Sequence, residues 1–267
     1  MKFNDKTRQQ QYRKLNRQLN RPQASGMSLI ELMIAMGLGL ILIAASIKIF
    51  ISSKQSYLMV EELNEIQENG QFAALFLSKA IQMAGYSDPD DGALPHLFLA
   101  EGECVSTDRF CTSNGVGNGS DKISVQLNPA FDEDCTGMSV PSDVVLSNVY
   151  YVETIGGISG LYCRGYDPGN GVWYSEETLL VNGIDRLQFQ FGTLESNRYQ
   201  FSTADEIDDW TTVNSVRFAL LSSAIENETV SEKERNYALL DAETVTYDDS
   251  KIRHIYSATV YVNNSFL

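Results

Sequence analysis

The sequence predicts an α+β fold, with one long N-terminal helix packed on an antiparallel β-sheet head. No proline stands between Pro22 and Pro89, and residues Met27 to about Ala84 keep helix-forming composition throughout. After the turn Ser87-Asp88-Pro89-Asp90-Asp91-Gly92 the chain changes to short runs rich in Val, Ile, Tyr and Phe, separated by Gly, Asn and Asp. Such runs read as strands joined by turns. The helical stretch is itself divided into an almost uncharged half and an amphipathic half.

The first half, Met27 to Ile51, reads MSLIELMIAMGLGLILIAASIKIFI and is interrupted only by Glu31 and Lys48. It is long enough to span a bilayer once, with Lys48 snorkelling to the interface. Gly37 and Gly39 weaken the helix there and permit either close helix packing or local stretching. In the second half, Met59, Leu63, Ile66, Gly70, Ala73, Leu77, Ile81 and Ala84 recur at spacings of three and four. Glu61, Glu62, Glu65 and Glu68 fall elsewhere, so one face is expected to pack and another to be solvated. About 58 residues at roughly 1.5 Å each make a helix of about 87 Å, more than a bilayer requires, so its second half is expected to lean on the head.

Charge is unevenly placed. The chain carries a formal −15, yet residues 1–26 hold seven of its twenty Lys and Arg against one acid, Asp5. The remaining residues hold 13 basic and 34 acidic side chains, a difference of −21. A body so acidic is repelled by nucleic acid, and no nucleic-acid partner is expected. With the basic cluster before the apolar run, the positive-inside rule places residues 1–26 in the cytoplasm and everything after about Ile51 across the membrane. The expected divisions are 1–26 as a cytoplasmic leader, 27–51 as the spanning helix, 52–86 as the amphipathic helix and 87–267 as the head.

A secretory signal would be cut after its apolar run, but no small-x-small site directly follows Phe50. Gly26 instead precedes the run, in Ser25-Gly26-Met27-Ser28-Leu29-Ile30-Glu31. This resembles the prepilin-type signal: glycine, a hydrophobic residue, then glutamate as fifth residue of the cut chain. The resemblance implies a type IV pilin-like fold, cleavage between Gly26 and Met27 by prepilin peptidase, and methylation of the new N-terminus at Met27. It also gives Glu31 a role in subunit assembly, neutralising the cationic N-terminus of a neighbour. An acid one turn into an apolar helix costs roughly 2.5–3.5 kcal/mol unless compensated, which supplies the physical reason for such a partner. Many major pilins carry proline as the twenty-second mature residue; Lys48 stands there, so helix melting at that point is not expected.

Four cysteines, Cys104, Cys111, Cys135 and Cys163, all lie beyond the apolar run. An even number in an exported segment predicts disulfides. Of three connectivities, the sequential one is expected, Cys104 with Cys111 and Cys135 with Cys163. The spacings lack the short C-x2-C pairs of zinc sites, and His96 and His254 have no ligand-like neighbours.

Strands are expected at Ile123–Leu127, Val144–Val152, Leu161–Arg164, Leu179–Leu180, Arg186–Phe191, Val213–Leu221 and Ile255–Val262. Val216, Phe218 and Leu220 alternate with Arg217 and Ala219, as in a strand buried on one face. Several segments resemble the PilW family of minor pilins: Gln67-Glu68-Asn69-Gly70-Gln71-Phe72, Met83-Ala84-Gly85-Tyr86, Leu161-Tyr162-Cys163-Arg164-Gly165, Val181-Asn182-Gly183-Ile184-Asp185-Arg186-Leu187-Gln188-Phe189 and Val216-Arg217-Phe218-Ala219-Leu220-Leu221. The resemblance implies a minor pilin that helps prime pilus assembly and sits in the tip complex. Its implied partners are prepilin peptidase, other minor pilins, the major pilin and the inner-membrane assembly platform, with a final place on the pilus at the cell surface. A minor pseudopilin of type II secretion and a pilus-displayed adhesin are the alternatives.

No catalytic constellation is evident, and no cofactor or metal is expected. Gly157-Ile158-Ser159-Gly160-Leu161 lacks the second glycine of a nucleophile elbow, and Gly115-Val116-Gly117-Asn118-Gly119 has no following Gly-Lys-Ser/Thr. The acidic groups Asp88/Asp90/Asp91, Asp132/Glu133/Asp134 and Asp205/Glu206/Asp208/Asp209 do not fit an EF-hand and read as solvated loops. Trp173 and Trp210 read as core or sheet-packing residues.

Overall fold

The computed structural model describes residues 26–87, 97–100, 109–117, 119–128, 133–141, 144–195, 198–225 and 232–265. Asp88, Asp90, Asp91, His96, Cys104 and Asp132 lie outside the described residues. One helix, α1 (Leu29–Met83), runs unbroken for 55 residues. The chain divides into two compact units, Met1–Lys54 and Gln55–Leu267.

In the first unit, α1 begins where the sequence supplies a cap. The Ser28 hydroxyl accepts the Glu31 backbone N–H at 3.2 Å, satisfying one of the donors left over at a helix start. The helix continues through Gly37 and Gly39, and its large apolar side chains are exposed.

In the second unit, α1 buries Ile66, Gly70, Ala73, Leu77, Ala80 and Ile81 at the expected spacing. Met59 and Leu63 continue that row but are exposed, because burial of the stripe begins only at Ile66. The Ser222 hydroxyl donates to the Ile66 carbonyl at 3.1 Å, fixing the level at which the helix joins the sheet. One turn on, a Cβ at Gly70 would run into the Tyr256 ring, so glycine is what lets the two backbones approach. The helix ends as Gly85 turns into the left-handed region at φ 75°, the usual terminus for a residue without Cβ. That last turn is held from both sides, by Gly85 N–H donating to the Gln126 carbonyl at 2.8 Å and by Asn264 Nδ2 donating to the Ala84 carbonyl at 3.0 Å.

Among the described residues eleven antiparallel strands follow: β1 (Lys122–Leu127), β2 (Leu146–Ile155), β3 (Ile158–Asp167), β4 (Val172–Trp173), β5 (Thr178–Asn182), β6 (Ile184–Glu195), β7 (Arg198–Ser202), β8 (Val213–Ser223), β9 (Lys233–Tyr237), β10 (Val245–Asp249) and β11 (Arg253–Tyr261). They form a sheet in the order β1-β2-β3-β4, with β5 also on β3, a second sheet in the order β11-β8-β6-β7, and the hairpin β9-β10. Cys135 and Cys163 are disulfide-bonded, and Cys111 is also bonded. The pairing expected for Cys104 falls outside the described residues.

One core joins α1 to both sheets. Ala73, Leu77 and Ile81 meet Ile123, Leu161 and Cys163 from the first sheet and Phe189, Phe218 and Val260 from the second. Alternation assigns the faces: in β2 and β3, Tyr150 pairs with Cys163 and Val152 with Leu161 toward this core. The other face carries Val149, Tyr151, Tyr162 and Tyr166 in a separate apolar cluster. The one-sided burial expected for β8 is corrected at Ala219, which is 2% exposed. Leu239 buries against Ala219 and Leu221, with Tyr237 and Tyr247 of the β9–β10 hairpin packed beside them, so the second face of β8 is covered.

Candidate functional site

The residues singled out for processing and assembly all lie at the start of the first unit. Gly26 and Met27 precede α1, outside helical backbone, and Glu31 falls in its first turn. Ser28 and Glu31 stand in the S-x-x-E relation of a capping box, and the Ser28 half of the box is formed. This cap was legible in Ser28-Leu29-Ile30-Glu31, since serine three residues before glutamate at the head of an apolar run is a helix-start signature. An acid in a first turn is also favoured by the helix dipole. Gly26 thus lies outside the helix, shortly before its capped apolar start. By length and composition α1 is able to cross a membrane.

Residues 21–47 match the family model described as Prokaryotic N-terminal methylation motif, and residues 149–264 match that described as Type IV Pilus-assembly protein W. The chain thus pairs a match to the methylation motif at its start with a match to the PilW model in its second half. The PilW match runs from within β2 to just past β11 and contains three of the five segments noted in the sequence, while Gln67–Phe72 lies ahead of it on α1 and Met83–Tyr86 at the end of that helix. Among solved structures, a type IV-like pilin from Thermus thermophilus is similar, at 13% identity and a TM-score of 0.41, covering 78% of this chain and 98% of its own. No curated protein matches.

Within the PilW domain, Val181–Phe189 is a structural joint rather than a reactive motif. The Gly183 N–H donates to the Ser159 carbonyl of the first sheet, and the Gly183 carbonyl accepts from the Ser223 N–H of the second. Asp185 then accepts from Arg253 Nε at 2.6 Å and from the Ser223 hydroxyl at 2.9 Å. Arg253 completes a latch by bonding both Asp249 oxygens at 2.8 Å and lying 3.7 Å over the Tyr247 ring. Sequence reasoning missed this latch, because its three charged members come from β6, β10 and β11.

The acidic groups are partly corrected by the structure. Asp134 is buried and accepts from the Thr136 N–H, the Thr136 hydroxyl and the Met138 N–H, organising a turn rather than facing solvent. Asp205 accepts from Asn114 Nδ2, Glu206 from the Thr203 N–H, and Asp209 from Thr211. Among the described residues, no group of three or more His, Cys, Asp and Glu is placed to hold a metal ion. Trp210 is partly buried and packs against the core, 4.8 Å from the Phe191 ring.

Asp121, a buried carboxylate beside the joint of the two sheets, is shifted toward neutrality. One oxygen accepts the Gly115 N–H and the other the Phe189 N–H, both at 2.7 Å. Burial pushes its carboxyl up to about 7; the two N–H donors oppose this, and Asp241 and Asp205 add to it. A folded value above the unfolded one means that the folded state holds a proton which the unfolded state has released. The associated stability is present below the ordinary carboxylate value and is lost as pH rises from about 4 to about 7. Urea midpoints of the full chain in detergent are expected to fall over that window. In Asp121→Asn the slope flattens while the protein is less stable throughout, because one N–H loses its acceptor; an unchanged slope would refute the assignment to Asp121.

Proposed function

We propose that this chain is a minor pilin, cut between Gly26 and Met27 by prepilin peptidase and methylated at Met27, which helps prime assembly of a type IV pilus. The reading is carried by the coincidence in one chain of the methylation motif at residues 21–47 and the PilW domain at 149–264. Supporting it physically, the spanning stretch is apolar except near its ends, so removal of the basic leader leaves a helix suited to packing among others like it. Before assembly the chain sits in the inner membrane with its N-terminus in the cytoplasm and residues beyond about 51 in the periplasm. Other minor pilins, the major pilin and the assembly platform are its partners, and the pilus tip is its final place. Its role is assembly rather than catalysis.

Mass spectrometry of the mature N-terminus, together with analysis of sheared pili, tests this directly. The expected chain starts at N-methylated Met27 and is found in the pilus fraction at low stoichiometry, and its deletion reduces surface pili while major-pilin synthesis persists. An unmethylated chain starting elsewhere, or unchanged piliation on deletion, would overturn the reading.

A further inference from the structure

The face of the first sheet turned away from the core is not an ordinary solvated face. Strand alternation places Lys122, Tyr151 and Glu153 on it from β1 and β2, and Tyr162, Arg164 and Tyr166 from β3, with Lys122 opposite Tyr151 and Tyr151 opposite Tyr162. Trp173 of β4 pairs with Tyr166, and the Phe110 ring stacks on Tyr166 at 4.1 Å. Beside this aromatic floor opens a cavity of about 100 Å³, walled by Arg109, Lys122, Tyr151, Glu153, Arg164, Trp173 and Glu177.

Three cations around one small cavity are unexpected in a chain whose residues after 26 contain only 13 Lys and Arg against 34 acids. Among the described residues the lining holds three cations against two carboxylates, an excess of one positive charge within a negative body, which marks it for an anionic group. Arg164 is fixed in place, its Nε donating to the Ser175 carbonyl at 2.6 Å and its guanidinium lying 4.3 Å from the Trp173 ring centre. Arg109 is the adjustable member: its side chain is 74% exposed and only loosely paired, 3.6 Å from Glu177.

The cavity also contains two carboxylates, Glu153 and Glu177, and these decide the class of ligand. A phosphate or sulfate would meet two like charges beside its own, whereas a polyhydroxylated ligand gives both carboxylates hydroxyl groups to accept from. Trp173 and Tyr151 line the cavity, with Arg164 lying over one face of Trp173, so the remaining accessible parts of the two rings supply the apolar wall for the C–H groups of a sugar. The limited volume fits the end of one ring rather than a run of several.

We propose that this cavity is a binding site for a sugar carrying a carboxylate, a uronate-type ring, with Arg109 and Lys122 pairing with its carboxylate and Glu153 and Glu177 accepting from its hydroxyls. The site lies on the outer face of the first sheet, remote in sequence from Gly26, Met27 and Glu31, and its test does not depend on the assembly role.

Sodium glucuronate is titrated calorimetrically into the full chain at low ionic strength, in a detergent whose headgroup is not a sugar, with glucose and inorganic phosphate as parallel ligands. Saturable glucuronate binding is expected in the millimolar range or tighter, with glucose and phosphate weaker by about tenfold or more. Arg109→Gln and Lys122→Gln each reduce glucuronate affinity by about tenfold, and the exposure of Arg109 makes its variant safe for folding. Glu153→Leu separates the proposal from a simple anion hole. Removing that negative charge tightens an anion hole, but here it weakens glucuronate binding, because a hydroxyl acceptor is lost. Equal binding of phosphate, tighter binding by Glu153→Leu, or no saturable heat up to about 10 mM glucuronate would each overturn the proposal.

Discussion

Replacing Arg253 by methionine is expected to destabilise residues 55–267 by about 3–5 kcal/mol, the range for breaking a buried ion pair by removing one partner. The Arg253 side chain is 4% exposed and Asp185 10%, so water replaces either partner only poorly. Without the guanidinium, Asp185 keeps only the Ser223 hydroxyl, Asp249 loses its two-pronged partner, and Tyr247 loses the cation over its ring. Most of the cost lies in the stranded Asp185 carboxylate. The double variant Arg253→Met with Asp185→Asn should therefore be more stable than Arg253→Met alone. Urea denaturation of the full chain in detergent measures both differences. A loss below about 1 kcal/mol for the single variant, the level of an exposed pair, would show that the latch does not hold the hairpin.

The second large effect concerns assembly rather than folding. Glu31→Ala is expected to be cleaved after Gly26 and methylated normally, yet to be nearly absent from sheared pili. The structure makes this variant informative, because the Ser28 cap binds the backbone N–H of residue 31, which alanine retains. Alanine is also a good helix former, so the start of α1 survives and only the carboxylate disappears. Loss from the pili then reports on a missing charge partner for a neighbouring N-terminus. Such an attraction is strong among packed apolar helices, where dielectric screening is weak. Incorporation at the normal level would remove Glu31 from the assembly role.

The legible parts of this molecule are those written in local spacing. Helix bounds of Met27 and about Ala84 meet an observed Leu29–Met83, the difference being the Ser28 cap and the Gly85 turn. Core strands rich in Val, Ile and Phe were also visible. The strands β7, β9 and β10 were not, since RYQFS, KERNY and VTYDD are polar or charged and reside in hairpins whose burial is one-sided or slight. β4 is only two residues long. Ala219 read as solvent-facing because nothing in β8 itself announces that a later hairpin will cover it. Likewise, the processing motif lies within six consecutive residues, whereas the Asp185–Arg253 pair is separated by 68 positions and the cationic cavity draws on β1 to β4 and two flanking segments. Pairings of that kind are created by sheet order, which composition does not encode.

The anchorage of the last turn of α1 also has a mechanical side. A pull along the helix axis would load the Ser222–Ile66, Gln126–Gly85 and Asn264–Ala84 bonds together with the packed row Ala73, Leu77 and Ile81. These contacts reach both sheets and the final described residues of the chain, so they share tension in shear instead of peeling one after another. Failure under load is then governed by the barrier to losing the whole set, and lifetime under tension becomes a kinetic property separate from equilibrium stability.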